Sequence, residues 1–379
     1  MLPIPLSLYI HIPWCARKCP YCDFNSHQVG EHLPEEKYIQ ALLRDLESEL
    51  PHIWGRPLES IFIGGGTPSL FSAKAIDQLM RGLRERLPLR PNMEITMEAN
   101  PGSFEQERFA EYRKAGINRL SIGVQSFADQ HLKKLGRIHD ASEALRATKI
   151  AQKAGFDNYN LDLMFGLPNQ SIQQALSDLQ QAIDQQPTHI SWYQLTIEEN
   201  TLFYHAPPVL PEDDLLWDMQ QQGQVLLAKS TYQQYEVSAY TQKNKHCRHN
   251  INYWKFGDYL GIGAGAHGKL TMPDGIITRH SKYRHPDKYM QEALNGTPRS
   301  QEKILNQKDL IFEFMLNTMR LKQGFNKKIF EHRTFLKFSS IQSKIDKLID
   351  DGLLIKVDQQ YQTSNKGWAF INSIVESFL

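Results

Sequence analysis

Three cysteines near the start of the chain are its most informative chemical feature. Cys15, Cys19 and Cys22 follow a C-x3-C-x2-C spacing, and the fourth cysteine, Cys247, lies far downstream. Three thiols within eight residues of a 379-residue chain are too local for a disulfide framework. The spacing therefore indicates a site for a metal or a metal cluster in a reducing compartment.

Two kinds of site compete for these thiolates. A structural zinc site closes four ligands, and His11 or His27 could complete the set. Three thiolates also suit a [4Fe–4S] cubane, which would leave one iron open for an exchangeable ligand. The amino and carboxylate groups of a methionine could chelate that iron, and an electron from the cluster could then break an adjacent sulfonium carbon–sulfur bond. The spacing favours iron–sulfur and leaves zinc open.

The elements that must position these residues alternate between strand and helix up to about residue 200. Helical spacing of apolar residues predicts helices such as Glu35–Leu50 and Ser142–Ala154. The predicted strands are Ser7–Trp14, Ser60–Gly65, Glu94–Asn100, Arg119–Ser126, Asn158–Phe165 and Ile190–Thr196. Six strand–helix units in succession predict a parallel sheet with helices outside.

Polar and glycine residues lie at the ends of several of these strands, as at Gly64–Thr67 and Glu98–Pro101, and Asp162 lies on the fifth strand. The carboxyl ends of parallel strands form the active-site rim of barrel folds. We therefore predict an α/β fold, a partial (β/α)6 TIM-like barrel, rather than an open doubly wound sheet.

The cysteine motif after the first strand and the Gly-Gly-Gly-Thr-Pro segment after the second resemble the radical S-adenosylmethionine (SAM) superfamily. The resemblance spans roughly residues 5–200. It implies a [4Fe–4S] cluster on the three cysteines and a bound SAM. By the same resemblance, the SAM contacts would come from Tyr9, Tyr21, Gly65, Gly66, Thr67, Glu98, Gln125, Arg137 and Asp162.

Three of these side chains have ordinary structural alternatives. Glu98 could cap a helix, Arg137 could pair with Asp140 on the surface, and Asp162 could accept from a buried backbone amide. Polar residues at successive strand ends favour the functional interpretation, because those ends converge on one mouth.

The residues around the cysteines point to one branch of the superfamily. Ser7–Cys15 and Cys19–Phe24 resemble the group that contains oxygen-independent coproporphyrinogen III oxidase and the heme chaperones. The oxidase pattern has a fourth cysteine two residues after the third, where this chain has Phe24. It also has a long N-terminal arm, whereas fourteen residues precede Cys15. Both differences favour the heme-chaperone branch.

A downstream segment agrees with that branch. His249-Asn250-Ile251-Asn252-Tyr253-Trp254 matches the HNxxYW signature associated with heme binding there. The resemblance implies an imidazole ligand from His249 and contacts from Asn250, Tyr253 and Trp254. Cys247 is a lesser ligand candidate. The alternative is an aromatic loop that caps the barrel, with His249 merely hydrogen-bonded.

A second glycine motif, Gly263–Gly268, fits the G-x-G-x-x-G dinucleotide fingerprint. We reject that interpretation, because the segment opens no clear helix and does not lie in a βαβ unit. A tight strand or loop is expected instead. His267 is a weaker candidate for a porphyrin site, and a core histidine is the preferred interpretation.

The organisation changes after the barrel. We predict a barrel core at 1–210, an extension carrying the HNxxYW segment at 211–300, and a winged-helix-like α+β domain at 301–379. In the extension we expect a helix at Glu212–Lys229, a strand at Tyr235–Thr241 and an irregular stretch from His249 to Gly268.

Composition narrows the possible partners. The chain has 43 Lys and Arg against 42 Asp and Glu, a net charge of +1, which argues against electrostatic capture of nucleic acid. No run approaches the roughly 18 apolar residues of a spanning helix, although peripheral membrane contact stays open. The apolar start, residues 1–15, runs directly into Cys15 and is interpreted as a strand, not a signal peptide.

The sequence thus predicts a cytoplasmic protein that binds a [4Fe–4S] cluster, SAM and heme and transfers heme to an acceptor protein. A homodimer is possible on this account. The alternative is an enzyme that oxidatively decarboxylates coproporphyrinogen III, so whether the chain is an enzyme is left open. A radical enzyme with an unrelated substrate is the third option.

Overall fold

The structure is a computed structural model that describes residues 4–53, 55–102, 106–242 and 244–379. The first three residues of the predicted N-terminal strand segment lie outside this range. The strands are β1 (Leu6–Ile12), β2 (Trp14–Cys15), β3 (His27–Gln28), β4 (Leu58–Gly65), β5 (Glu94–Ala99), β6 (Arg119–Gln125), β7 (Tyr159–Phe165), β8 (His189–Gln194), β9 (Gln233–Glu236), β10 (Ala239–Thr241), β11 (Asp258–Ile262), β12 (His267–Thr271), β13 (Ile277–Lys282), β14 (Arg299–Ile304), β15 (Phe325–Asn326), β16 (Leu354–Val357) and β17 (Gln360–Thr363).

Helices connect these strands. The α-helices are Glu35–Ile53, Ala73–Arg86, Phe109–Ala115, Asp129–Lys134, Ala141–Lys153, Ile172–Asp184, Leu202–His205, Asp213–Lys229, Arg248–Trp254, Pro286–Leu294, Gln307–Thr318, Lys327–Thr334, Gln342–Asp350, Asn365–Ala369 and Ile371–Glu376. Short 3-10 turns lie at Pro68–Leu70 and Phe338–Ser340.

Six parallel strands form the centre of the fold, as the sequence predicts. β1, β4, β5, β6, β7 and β8 pair side by side in that order. Their observed ends differ from the predicted ends by at most two residues. Apolar side chains such as Leu8 and Ile10 pack under the helices, because alternate residues of a strand point to opposite faces.

The other face of these strands is polar and concave. Tyr193 on β8 donates from its hydroxyl to Oε1 of Gln125 on β6 at 2.9 Å, although β7 lies between the two strands. Such a contact requires a strongly curved sheet. The fold is therefore a partial (β/α)6 barrel in a larger mixed sheet, which confirms the predicted fold class.

The sheet continues beyond the six strands at both edges. β10 and β9 extend it antiparallel from β8, while β11 pairs parallel with β1 and leads to β12, β13 and β14. Two predictions for this region are wrong. The single strand expected at Tyr235–Thr241 is a hairpin, because the chain turns between Glu236 and Ala239.

The stretch from His249 to Gly268 is regular rather than irregular. Its first part is the helix Arg248–Trp254, which we call the His249 helix, and β11 follows it. Gly263 and Gly265 have positive φ of 105° and 77° in the turn between β11 and β12. The glycine motif is thus a turn between antiparallel strands, as its rejection as a dinucleotide fingerprint predicts.

The C-terminal part has its own apolar core, centred on residues such as Phe314, Phe325 and Phe330. β15 follows the helix Gln307–Thr318, and two further helices lead to the hairpin of β16 and β17, which completes the small sheet β15-β17-β16. Two short helices close the chain. This helix–hairpin arrangement is the predicted winged-helix-like one. The domain boundaries at 210 and 300 stay a prediction. Within the described ranges, no helix is both long and apolar enough to cross a membrane.

Candidate functional site

The cysteine loop leaves the barrel at the carboxyl end of β1. Cys15 is buried in β2, which pairs with β3 through Trp14 and His27. Cys19 and Cys22 are half-buried, and the amide of Cys22 donates to the carbonyl of Cys19 at 3.2 Å in a tight turn. All three thiols are free. They are therefore presented by one short loop over the mouth of the barrel.

The surroundings of the thiols are partly charged. Burial raises the pKa of Cys15 and of Cys22, although hydrogen bonds from Thr67 and Ser26 oppose the rise at Cys15. Nη1 of Arg137 donates to Sγ of Cys19 at 3.6 Å. The permanent positive charge of this guanidinium would stabilise Cys19 as a thiolate, which is the form that an iron–sulfur cluster binds.

A single zinc ion finds no preformed set of three ligands in the described part of the chain, whereas three separate thiolates suit a cluster. Among the residues that the structure describes, no three His, Cys, Asp or Glu side chains lie close enough to share one metal ion. His11 is already occupied: Nε2 donates to the carbonyl of Asn25 at 2.8 Å, so Nδ1 accepts from the Tyr9 hydroxyl at 2.9 Å. A cubane instead takes each thiolate on a different iron and has no need of a histidine.

The glycine segment after β4 packs directly against this loop. The amide of Gly66 donates to the carbonyl of Ile12 at 2.7 Å, and that of Thr67 donates to the carbonyl of Trp14 at 2.8 Å. A Cβ on Gly65 would lie 2.6 Å from the His11 ring, and one on Gly66 would lie 2.6 Å from the Trp14 carbonyl. Close packing on β1 and β2 therefore requires glycine here, independently of any ligand.

Two carboxylates lie inside the barrel. Oε2 of Glu98 accepts from the amide of Gly65 at 3.0 Å, while burial and then the charge of Asp162 raise the pKa of Glu98 to about 8. Asp162 accepts from Ser121 at 2.9 Å and from Asn160 at 2.8 Å, and burial raises its pKa also. The helix-cap alternative for Glu98 and the backbone-amide alternative for Asp162 are both wrong.

Arg137 and Gln125 complete the wall near the mouth. Nη2 of Arg137 donates to Oδ1 of Asn100 at 2.7 Å and to the carbonyl of Gly123 at 2.9 Å. Its interpretation as a surface partner of Asp140 is therefore wrong. Gln125 has a positive φ of 67° at an irregularity of β6, a strained conformation of the kind that clusters at ligand sites.

The two tyrosines belong to different elements: Tyr9 lies on β1, whereas Tyr21 lies within the cysteine loop itself. Tyr9 points into the barrel, and burial together with Glu98 raises its pKa. Tyr21 packs against Phe203 with ring centroids 6.3 Å apart, and burial raises its pKa as well. Both side chains stay partly exposed although they lie deep in the protein. Both side chains therefore border solvent-accessible space.

Sequence reasoning missed two residues of this wall. Asn100 links Thr67 to Arg137, because its Nδ2 donates to Oγ1 of Thr67 at 3.1 Å while its Oδ1 accepts from the arginine. Tyr193 holds the strained Gln125. Each residue lies in or just after a predicted strand, at a position whose side chain faces the barrel interior. The alternation of inward-facing and outward-facing residues along the strands could therefore have identified both.

The HNxxYW segment lies at the opposite end of the barrel from the cysteines. His249 caps the amino ends of β4 and β5: Nδ1 lies 3.3 Å from Oγ of Ser60, and its amide faces Oε1 of Glu94 at 3.3 Å. The ring packs 5.1 Å from Phe62, and the residue is 8% exposed. Burial lowers the pKa of His249 to about 3, so the imidazole is neutral.

The aromatic residues of this segment turn away from His249. Tyr253 packs on Tyr259 with ring centroids 5.0 Å apart, and Trp254 lies under Arg320 at 4.4 Å. Asn250 is half-buried on the same helix. The helix that carries the four residues thus packs between the barrel floor and the helix Gln307–Thr318. They are not brought together with the SAM set.

The two lesser candidates also have definite places. Cys247 is buried with Sγ 3.7 Å from Oε1 of Glu94, and burial raises its pKa to about 12. It is therefore a protonated thiol rather than a ready ligand. His267 is exposed at the start of β12, so its interpretation as a core histidine is wrong.

Similarity to known proteins agrees with this geometry. Residues 9–182 match the Radical SAM superfamily, and residues 305–370 match the HemN C-terminal domain. The chain is 52% identical over 375 residues to "Heme chaperone HemW" of Escherichia coli, covering 99% of this chain and 98% of the relative. It is 51% identical to "Heme chaperone HemW" of Haemophilus influenzae, over 99% of this chain and 98% of the relative.

The fold has a solved counterpart. The structure of coproporphyrinogen III oxidase (HemN) from Escherichia coli, a radical SAM enzyme, aligns with a TM-score of 0.84 over 99% of this chain and 90% of that one. At 24% identity this likeness concerns the fold alone. With half of its residues identical to two relatives along its whole length, the chain belongs to the HemW family within the radical SAM superfamily.

Proposed function

We propose that this chain is a heme chaperone that binds a [4Fe–4S] cluster, SAM and heme and passes heme to an acceptor protein. The observation that carries the proposal is its similarity to relatives named heme chaperones, which extends over 99% of the chain and so includes both the barrel and the C-terminal part. A cytoplasmic location and a homodimer belong to the same proposal.

The mouth of the barrel supports the cluster and SAM assignments. Cys15, Cys19 and Cys22 offer three thiols on one loop, and Arg137 adds a positive charge beside Cys19. Once the cluster is bound, it supplies an electron donor beside a chelated sulfonium compound. The chain's own contribution is to hold the thiols and to exclude water from them.

The interior wall offers groups of the right kind for SAM. Glu98 and Asp162 can accept from an amine or from ribose hydroxyls, and Arg137 can pair with a carboxylate. Tyr9, Gln125 and the glycine segment line the same space. A ligand amine would also stabilise Glu98 in its ionised form, which burial otherwise disfavours.

The alternative function is oxidative decarboxylation of coproporphyrinogen III. It shares the barrel, the cysteines and the interior wall, so these features do not discriminate. Phe24 does: it stands where the oxidase pattern has a fourth cysteine, and its side chain is 56% exposed beside the cluster loop. Its phenyl ring cannot serve as a metal ligand, which favours the chaperone.

The residues that contact heme stay a prediction. His249, Asn250, Tyr253 and Trp254 match the signature of the chaperone branch, but their helix lies between the barrel floor and the helix Gln307–Thr318. With 8% exposure, His249 has no open face for a macrocycle in this conformation. Heme contact at this segment would require the floor to open.

A product assay separates the two functions. Anaerobically reconstituted protein is incubated with coproporphyrinogen III, SAM and a reductant, and the tetrapyrroles are then separated by chromatography. We expect unchanged coproporphyrinogen III together with heme binding in a parallel titration. Decarboxylated product formed over many turnovers would refute the chaperone proposal in favour of the oxidase.

A further inference from the structure

An arginine from the C-terminal part lies on the tryptophan of the HNxxYW segment. The guanidinium carbon of Arg320 is 4.4 Å from the centre of the Trp254 ring, and the Trp254 and Tyr253 rings meet edge to face with centroids 4.9 Å apart. Arg320 follows the helix Gln307–Thr318, which contacts the His249 helix. A cation from outside the signature therefore lies directly on the residues that match it.

The position of Arg320 is fixed by the hairpin of β9 and β10. Its Nη2 donates to Oε2 of Glu236 at 3.2 Å and to Oγ of Ser238 at 3.5 Å, and Leu321 forms a β-bridge with Glu236. Glu236 is buried, whereas the Arg320 side chain is 31% exposed. The arginine is thus held at one nitrogen and stays accessible to a ligand.

Several donors at this contact have no partner. Among the described residues, neither Nε nor Nη1 of Arg320 has a hydrogen-bond partner, although each carries N–H groups. Nε1 of Trp254 is buried and also unpartnered there. Buried donors without a partner are uncommon in proteins, and each costs about 1–3 kcal/mol. A ligand group that only accepts hydrogen bonds would satisfy both side chains.

The local charge favours an anionic acceptor. Lys255 directly follows Trp254, and burial together with the positive charge of Arg333 lowers its pKa. In the described part of the chain, Glu236 is the one carboxylate that pairs with Arg320. A carboxylate bound at Trp254 would therefore meet net positive charge, and arginine binds carboxylates more strongly than neutral acceptors.

We infer that Arg320 binds a propionate of heme held at the HNxxYW segment, with the indole N–H of Trp254 as a second donor. This inference rests on the proposed function and adds a residue of the C-terminal part to the heme site. Heme carries its two propionates on one edge, so a contact with Arg320 orients the macrocycle along the His249 helix. His249 remains the candidate iron ligand.

This edge of the segment is also the part that a ligand can reach. Trp254 and Arg320 are half-buried, whereas His249 is 8% exposed. A propionate can therefore contact Arg320 while the barrel floor is still closed. Opening of the floor is needed for contact between the iron and His249 and not for the propionate.

The test compares ferric heme with ferric heme dimethyl ester, whose propionates are esterified and carry no charge. Each is titrated into the cluster-reconstituted full chain, and its dissociation constant is taken from the Soret difference absorbance. The unaltered chain should bind heme about tenfold or more tightly than the ester. In Arg320→Met the affinity for heme should fall by about tenfold, and that for the ester should change by less than about twofold.

Further variants separate recognition from support of the fold. The double variant Arg320→Met, Glu236→Gln leaves no buried carboxylate unpaired and should lose the preference for heme in the same way. Trp254→Phe keeps an aromatic ring and the Arg320–Glu236 pair but removes the N–H, so it should weaken the binding of heme more than that of the ester. Arg113→Met is the matched control: this arginine lies over the Phe156 ring at 6.0 Å, and its loss should change neither affinity.

The outcomes distinguish this inference from the proposed function. Folding of each variant is verified by circular dichroism and by the cluster absorbance. An unchanged ratio of heme to ester affinity in the folded arginine variants or in Trp254→Phe would overturn the role of that side chain. Saturable binding of heme and ester with equal affinity by the unaltered chain would overturn the propionate site while heme binding stands. No saturable heme binding at all would refute the proposed function, and the propionate site with it.

Discussion

Nη1 of Arg137 donates to Sγ of Cys19 across 3.6 Å, so a residue that follows the fourth parallel strand contacts the cysteine loop directly. The same guanidinium donates to Asn100, which in turn donates to Thr67. Three strand ends are thereby joined around the thiols. The cluster loop and the interior wall form one hydrogen-bonded unit.

Replacing Arg137 by Met should damage this unit. The change removes the positive charge beside Cys19 and leaves Asn100 without its donor, at a cost of about 1.5–3 kcal/mol for a lost charged hydrogen bond. We expect lower iron content per chain and weaker SAM binding, measured by iron analysis and calorimetry. Arg146→Met, at an exposed arginine that pairs with Glu143, is the matched control and should change neither. Full iron content and unchanged SAM affinity in Arg137→Met would show that the contact is incidental.

The three motif cysteines should be individually essential for the cluster, and Cys247 should not. Serine at position 15, 19 or 22 removes one of three cluster thiolates, so we expect the broad iron–sulfur absorbance to be lost. Cys247→Ser should keep it, because this thiol is buried against Glu94 at the other end of the barrel. The measurement is the visible spectrum after anaerobic reconstitution. A Cys22→Ser variant with an intact cluster would contradict the assignment.

Glu98 should make stability depend on pH. Its pKa rises from the ordinary glutamate value of 4.5 to about 8 in the folded chain, chiefly through burial. Between these values the folded state holds a proton that the unfolded state has lost, so the free energy of unfolding falls as pH rises, by up to about 1.4 kcal/mol per pH unit from this group. Asp162, whose pKa is also raised, acts in the same direction.

The comparison that isolates this effect is Glu98→Gln. We would measure the free energy of unfolding of both SAM-free proteins in urea from about pH 5 to pH 8. The glutamine variant should become more stable relative to the unaltered chain as the pH rises. The glutamine amide keeps an oxygen that can accept from the Gly65 amide but carries no proton that titrates in this range. If the free energies of unfolding of the two proteins differ by a constant amount from pH 5 to pH 8, Glu98 is ionised throughout that range.

Gly66→Ala should disrupt the site through packing alone. The new Cβ would lie 2.6 Å from the Trp14 carbonyl, next to Cys15, and overpacking of this kind costs about 1–3 kcal/mol. We expect a lower unfolding midpoint and less iron bound. Gly30→Ala is the control, because its Cβ would meet nothing within 4 Å. Equal midpoints for the two variants would contradict the packing account.

Much of the fold is predictable from the sequence because two periodicities alternate. The strand at Glu94–Asn100 and the helix at Ser142–Ala154 differ from the observed elements by one residue, since their apolar residues repeat at the spacing that burial requires. The convergence of Glu98 and Asp162 also follows, because both lie on parallel strands of one sheet and alternate residues of a strand share a face.

The predictions that are wrong concern segments whose conformation depends on tertiary contacts. The His249 helix has β-branched, amide and aromatic residues with weak helix preference, and its stability comes from packing on Ser60, Phe62 and Glu94, which no local pattern reveals. The conformation of Gln125 is another case, because a positive φ in a non-glycine residue depends on the bulge and on Tyr193. His267 is exposed at the first position of β12, although its flanks are apolar.

The most direct test of the central claim is a heme titration of the anaerobically reconstituted full chain. The account predicts saturable binding of heme, seen as a Soret difference band, and release of that heme to an excess of an apo-hemoprotein followed in the same spectrum. Absence of saturable binding, with coproporphyrinogen III converted by the same preparation, would contradict it.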